Sequence, residues 1–288
     1  MKRNSAKIFL AILAVLLLFS GCINIQEEEE TTTSTDMNNA NPSSIGSYKT
    51  MEYQYNTNVD ISCLTTNLDK TYLLLANKTN ELGEHYEPAS LTTLTCKTTR
   101  EMKLESRAAQ ALYAMLLEMK TAGLSDIAVT SAYRSYAYQV TTYNGWVEEE
   151  MKEPISDDAY RVLGKEYIKM NYLDKEIYSL NLADAHKVAQ SYSALPGQSE
   201  HQTGLCVDFI TSEMNGMLTE AFENTEAFAW LSKNAYKFGF ILRYPKGKEG
   251  ITGYTYEPWH YRFVGREAAT DIHVGQMTLE QYLQLTTN

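Results

Sequence analysis

Residues 199–209 read SEHQTGLCVDF and residues 257–262 read EPWHYR, and between them they carry His201, Asp208, Glu257 and His260. Two imidazoles and one carboxylate form a three-ligand set with a fourth position open, the arrangement used by catalytic zinc. Glu257, three residues before a histidine, is placed to move protons beside such an ion. Gly204 breaks the chain after His201. LCVDF then alternates as a short strand, with Leu205, Val207 and Phe209 on one side and Cys206 and Asp208 on the other. WHYRFV alternates likewise: Trp259, Tyr261 and Phe263 take the apolar side, His260 and Arg262 the other. Pro258 keeps Glu257 out of the regular ladder. Two neighbouring strands would then present Asp208 and His260 side by side, with His201 arriving from a loop. An ordinary antiparallel pair with scattered polar residues would show the same spacing, so spacing alone leaves both readings open.

A third stretch, SAYRSYAYQ at 131–139, lies upstream. Taken in order, S-x-Y-R-S-x-x-x-Q, S-x-H-x-x-G-x-x-x-D and E-x-W-H-x-R resemble the motifs of the VanY-type zinc D-alanyl-D-alanine carboxypeptidases. That family shares its fold with VanX-type dipeptidases, L,D-carboxypeptidases and some phage endolysins. The resemblance spans roughly residues 70–265. It departs at Cys206, where a small residue such as alanine is usual, and in a long segment between the first two motifs. It implies an α+β fold of the Hedgehog/DD-peptidase kind, a small, mostly antiparallel sheet flanked by helices, here with a helical insertion over 153–185.

For function, the resemblance implies Zn2+ held by His201, Asp208 and His260, with Glu257 as the proton carrier and Arg134 stabilising the oxyanion. Ser131, Gln139 and Ser199 are expected to orient substrate. The expected substrate is a peptidoglycan stem peptide or its precursor ending in D-Ala-D-Ala, losing its last D-alanine. An L,D-carboxypeptidase acting on tetrapeptide stems is the rival within the enzyme class. A non-catalytic wall-binding lipoprotein is the rival outside it, and intact Glu257 and Arg134 speak against that.

Residues 1–21 read as a secretory signal, with Lys2, Arg3 and Lys7 ahead of the apolar run IFLAILAVLLLF. FSGC then resembles a lipobox, with Cys22 as the lipidated residue and an extracytoplasmic, membrane-anchored product. Residues 22–48 are acidic, hydroxyl-rich and poor in large apolar side chains, which predicts a disordered tether ahead of a single domain over 49–288. The formal charge is −11, and −14 without the three signal cations, which argues against nucleic acid as a partner. A monomer is expected. Cys63 and Cys96 pair as a disulfide or stay as two thiols, and Cys206 is expected to be a small buried side chain under the site.

The remaining pattern supplies the frame. TYLLLANKT (71–79) reads as a strand and Ser106–Ala122 as an amphipathic helix with Ala108, Leu112, Met115, Leu116 and Met119 on one stripe. IAVT (127–130) reads as a buried strand, and Ser135 caps a helix running to about Lys152. Residues 153–185 read as mostly helical, either a cover over bound substrate or a surface elaboration. TEAFAWLSKNAYKFGF is a helix ending near Gly239, FILRYP a strand, KGKEGITGYTY a hairpin-like connection, and Thr278–Gln281 a capping box opening the last helix. HExxH and SxxK are absent, which excludes the helical zinc-protease and penicillin-binding serine arrangements.

Overall fold

The computed structural model describes residues 41–286 apart from Val59. The signal segment, Cys22 and the tether up to residue 40 lie outside the described residues. A short antiparallel ribbon of β1 (Leu91–Thr93) and β2 (Lys103–Glu105) leads into α1 (Ser106–Thr121). Then follow β3 (Ala128–Ser131), α2 (Tyr136–Glu150), α3 (Asp157–Leu163), α4 (Lys165–Asn171) and α5 (Leu182–Tyr192). The second half contains β4 (Cys206–Ile210), α6 (Glu226–Asn234), β5 (Phe240–Leu242), α7 (Glu249–Thr252), β6 (His260–Phe263), α8 (Arg266–Val274) and α9 (Leu279–Thr286). The main sheet has the order β3-β4-β6-β5 with every neighbouring pair antiparallel.

The alternation in β4 and β6 sorts the side chains as the sequence predicts. Val207, Phe209, Tyr261 and Phe263 join one buried cluster with Leu112, Met115 and Met119 of α1. Burying side chains of this size contributes roughly 1.5–3 kcal/mol each. α1 starts where the Glu105 carboxylate accepts from the backbone N–H groups of Arg107 and Ala108. α2 starts where the Ser135 hydroxyl accepts from the Tyr138 N–H. The insertion is helical, and Ala159 of α3 and Ile168 of α4 close a separate small core with Tyr143 of α2 and Val188 of α5. A third cluster seats α8 and α9 against Ile241 of β5. The capping box is formed: Thr278 N–H donates to Gln281 Oε1 at 3.0 Å, and Gln281 N–H to Thr278 Oγ1 at 3.2 Å.

Three expectations change. Residues 71–79 are not a strand; apart from an isolated Asn77–Asn80 bridge they run as turns and irregular chain. The Tyr72 and Leu74 carbonyls accept from the Arg262 guanidinium at 3.0 and 2.8 Å, so they are spent on a side chain and unavailable to a ladder. The connection over 246–256 contains the one-turn helix α7, ended by Gly253 at φ +77°, instead of a hairpin. The ordered body begins before residue 49: Pro42–Ser44 and Ser47–Lys49 form 3-10 turns, and Gly46 N–H donates to Asp271 Oδ2 of α8 at 2.8 Å. Of the two states left open for Cys63 and Cys96, the structure has the free thiols.

Candidate metal centre

The β4–β6 register sets Asp208 directly opposite His260, and the β3–β4 register sets Ser131 beside Asp208. His201 comes from a 3-10 turn, Glu200–Thr203, whose exit needs Gly204 at φ +66°, where a Cβ would lie 2.9 Å from Pro88 Cγ. Upstream, Gly197 at φ +85° passes so close to the Leu82 carbonyl that a Cβ would lie 2.8 Å from its oxygen. The approach of the chain to His201 is thus fixed at both ends by glycines.

One nitrogen of each imidazole is committed and the other is turned inward. His201 Nδ1 donates to the Ala132 carbonyl at 2.7 Å, leaving Nε2 3.2 Å from Asp208 Oδ2. His260 Nε2 meets Glu200 Oε2 at 3.2 Å, leaving Nδ1 2.9 Å from Asp208 Oδ1 and 3.7 Å from Glu257 Oε2. The two rings are perpendicular with centroids 5.0 Å apart, and the Tyr244 ring lies 4.9 Å from His260. His201, Asp208 and His260 are 3%, 4% and 2% exposed. An outer carbonyl or carboxylate that fixes the tautomer of each histidine is the usual support of a metal-binding imidazole.

The donor set fits a divalent ion. Asp208 Oδ1 is buried and has no hydrogen bond of acceptable geometry, although an imidazole nitrogen lies beside it. Burial opposes charge on both imidazoles, yet the anionic groups around them, Asp208 among them, hold both pKa values above the ordinary histidine value. An ion held by these groups would compete with protons for the same donor atoms. Among the described residues, His201, Cys206 and His260 each offer one donor atom, and these atoms lie within 4.8 Å of one another. Asp208 is spread differently, with one oxygen on each imidazole. Two imidazoles and a carboxylate remain the set that suits an open catalytic zinc site.

Glu257 sits at the edge of this group. Burial pushes its carboxyl up to about 7, with His260 opposing and Asp208 adding to the rise, close to the value a general base needs at neutral pH. A cleft of about 700 Å³ opens over the site and is lined by Ser131, Arg134, Gln139, Ser199, His201, Asp208, Glu257 and His260. All eight residues read from the sequence therefore converge. Gln139 differs in its surroundings: its Oε1 accepts from Arg134 Nη1 at 3.0 Å and its Nε2 donates to the Ala194 carbonyl at 2.7 Å. With a partner at each end of the amide, Gln139 braces Arg134 at the cleft wall. The Arg134 backbone N–H in turn donates to the His201 carbonyl at 3.1 Å.

The sequence reading passed over Glu200. Its Oε1 accepts from Arg243 Nε at 2.7 Å and from Arg262 Nη1 at 2.6 Å, and its Oε2 faces His260. Burial alone would raise its pKa, but the two guanidiniums hold it well below the usual carboxylate range. Arg243 also makes a two-nitrogen contact with Glu280 at 3.0 and 2.7 Å. Arginines within the buried strands FILRYP and WHYRFV were the available signal, because a buried guanidinium demands an anion.

Comparison with known proteins agrees with this geometry. A family model described as VanY, D-alanyl-D-alanine carboxypeptidase, matches residues 101–266. YodJ of Bacillus subtilis, named for a carboxypeptidase, is 37% identical over 218 residues, covering 74% of this chain and 67% of YodJ. Among solved structures, the LD-carboxypeptidase LdcB superposes with a TM-score of 0.56 at 34% identity, over 73% of this chain and 84% of LdcB. A zinc complex of the vancomycin-resistance D,D-pentapeptidase VanY from a VanB-type cassette gives a TM-score of 0.54 at 31% identity, over 74% of this chain and 99% of that one.

Proposed function

For a chain that belongs to the VanY family of D-alanyl-D-alanine carboxypeptidases, we propose zinc-dependent hydrolysis of the terminal D-Ala-D-Ala bond of peptidoglycan stem peptides, with release of D-alanine. The observation that carries this reading is a carboxylate, Glu257, 3.7 Å from the inward nitrogen of His260 and next to the converging Asp208 and His201, at the floor of an open cleft. His201, Asp208 and His260 would hold the ion. Bound zinc supplies Lewis acidity to an attacking water and to the scissile carbonyl. Glu257 takes the proton of that water and returns it to the leaving amine. Arg134, braced by Gln139, offers a fixed cation to the developing oxyanion, a contribution worth several kcal/mol in a site of low polarity. Ser131 and Ser199 line the walls beside it.

The likeness to LdcB supports a second reading, removal of D-alanine from tetrapeptide stems. One experiment separates them: the full chain is incubated with penta- and tetrapeptide stems, with and without chelator, and products are weighed. Loss of one alanine from the pentapeptide alone, abolished by chelator and restored by zinc, is the expected result. Release from the tetrapeptide alone replaces it with the L,D reading. No release from either leaves a wall-binding protein without activity.

We also infer that Cys22 is lipidated and holds the enzyme on the outer face of the membrane, with residues 23–40 between the anchor and the first described residue. The FSGC pattern after an apolar run supports this. Radiolabelled fatty acid should enter the wild-type protein and fail to enter Cys22→Ala, which is then found in the medium. Equal labelling of the two would remove the anchor from the account.

A further inference from the structure

Cys206 lies in the buried site, and the mechanism above gives it no task. It lies two residues before Asp208 on β4, so both side chains emerge on the face that carries the imidazoles. Its sulfur and one nitrogen from each of His201 and His260 lie within 4.8 Å of one another, and Cys206 is fully buried. Its partner across the sheet is Arg262, but that guanidinium is committed to Glu200 and to the Tyr72 and Leu74 carbonyls. The sulfur therefore faces the imidazoles without a cation of its own. Donor atoms around a tetrahedral zinc with bonds of about 2.0–2.3 Å lie roughly 3.5 Å apart. Only about an ångström of side-chain adjustment separates the observed group from that spacing.

We propose that the Cys206 sulfur is a fourth protein donor to the ion held by His201, Asp208 and His260. This rests on the zinc reading above and deepens it. Asp208 Oδ1, buried and without a hydrogen bond of acceptable geometry although His260 Nδ1 lies 2.9 Å away, is a second sign that a cation belongs among these atoms. A thiolate added to two imidazoles and a carboxylate makes the set softer, which favours zinc over magnesium or calcium and slows its loss. An enzyme of this kind would keep its metal where free zinc is scarce, and the attacking water would have to join as a fifth ligand or displace the sulfur.

The test uses cobalt as a visible substitute for zinc. Metal-free full-length chain is titrated with Co(II), alongside Cys206→Ala and the near-isosteric Cys206→Ser. The wild type should show visible d–d bands and a near-ultraviolet sulfur-to-cobalt charge-transfer band. Both variants should keep the d–d bands and lose the charge-transfer band. Competition with a chromophoric chelator should show zinc affinity falling by more than about tenfold in Cys206→Ala. Visible bands without charge transfer in the wild type overturn the sulfur ligand and leave the zinc reading standing. If no d–d bands form, both fall. Should Cys206→Ala fail to fold, the wild type and Cys206→Ser decide the matter.

Discussion

Glu257→Gln lowers kcat on the stem-peptide substrate by about 10³–10⁴-fold while the protein still carries one equivalent of zinc, the upper end of what a positioned general base contributes. The substitution keeps the shape and a hydrogen-bonding carbonyl but removes the proton acceptor. Glu257 Oε2 is 3.7 Å from His260 Nδ1, beside the proposed ligands without being needed among them, so metal content should survive. Two measurements check this: turnover by mass and zinc by atomic absorption. Loss of zinc together with activity would make Glu257 a ligand, and near-normal turnover would move the base elsewhere.

Glu200→Ala destabilises the fold by about 3–5 kcal/mol, the range for breaking a buried pair by removing one partner. Arg243 and Arg262 are both fully buried and share one oxygen of this carboxylate. Without it, Arg243 keeps Glu280, but Arg262 keeps only carbonyls. For a domain of this size the melting temperature should fall by on the order of 10 °C, measured on metal-free protein so that zinc linkage does not mask it. A shift of a degree or two would show that the guanidiniums reach water. The pH dependence has a definite sign. Because the folded pKa of Glu200 is depressed, its contribution is fully present above the unfolded carboxylate value of about 4.3. It is lost as pH falls from there towards the folded value. Wild type should therefore lose stability with acid in this window faster than Glu200→Ala does.

The convergence of His201, Asp208 and His260, the proposed ligands, was legible in the sequence because their geometry is local. Period-two alternation puts Asp208 and His260 on one side of their strands, and a glycine turn delivers His201. Ser135 and Thr278 announced their helices for the same reason: the cap and its partner are three residues apart. What could not be read depends on partners far apart in the chain. Glu200 lies 43 and 62 residues from the arginines that neutralise it. The apolar stretch 71–79 has strand composition, yet a guanidinium nearly 190 residues away claims its carbonyls. The 3-10 turns at 42–49 look like linker by composition and are held by Asp271, a partner no local pattern names. Gln139 was found by its motif, but its task in holding Arg134 became visible only when both its neighbours were in place.

Asp208 and His260 face each other only because β6 lies against β4 in one register. Sliding one strand by a single residue would bring Tyr261 to that spot and turn the imidazole to the opposite face of the sheet. Ion capture by this pair would therefore double as an inspection of strand alignment: a chain folded out of step could not load, and a loaded chain would have been checked.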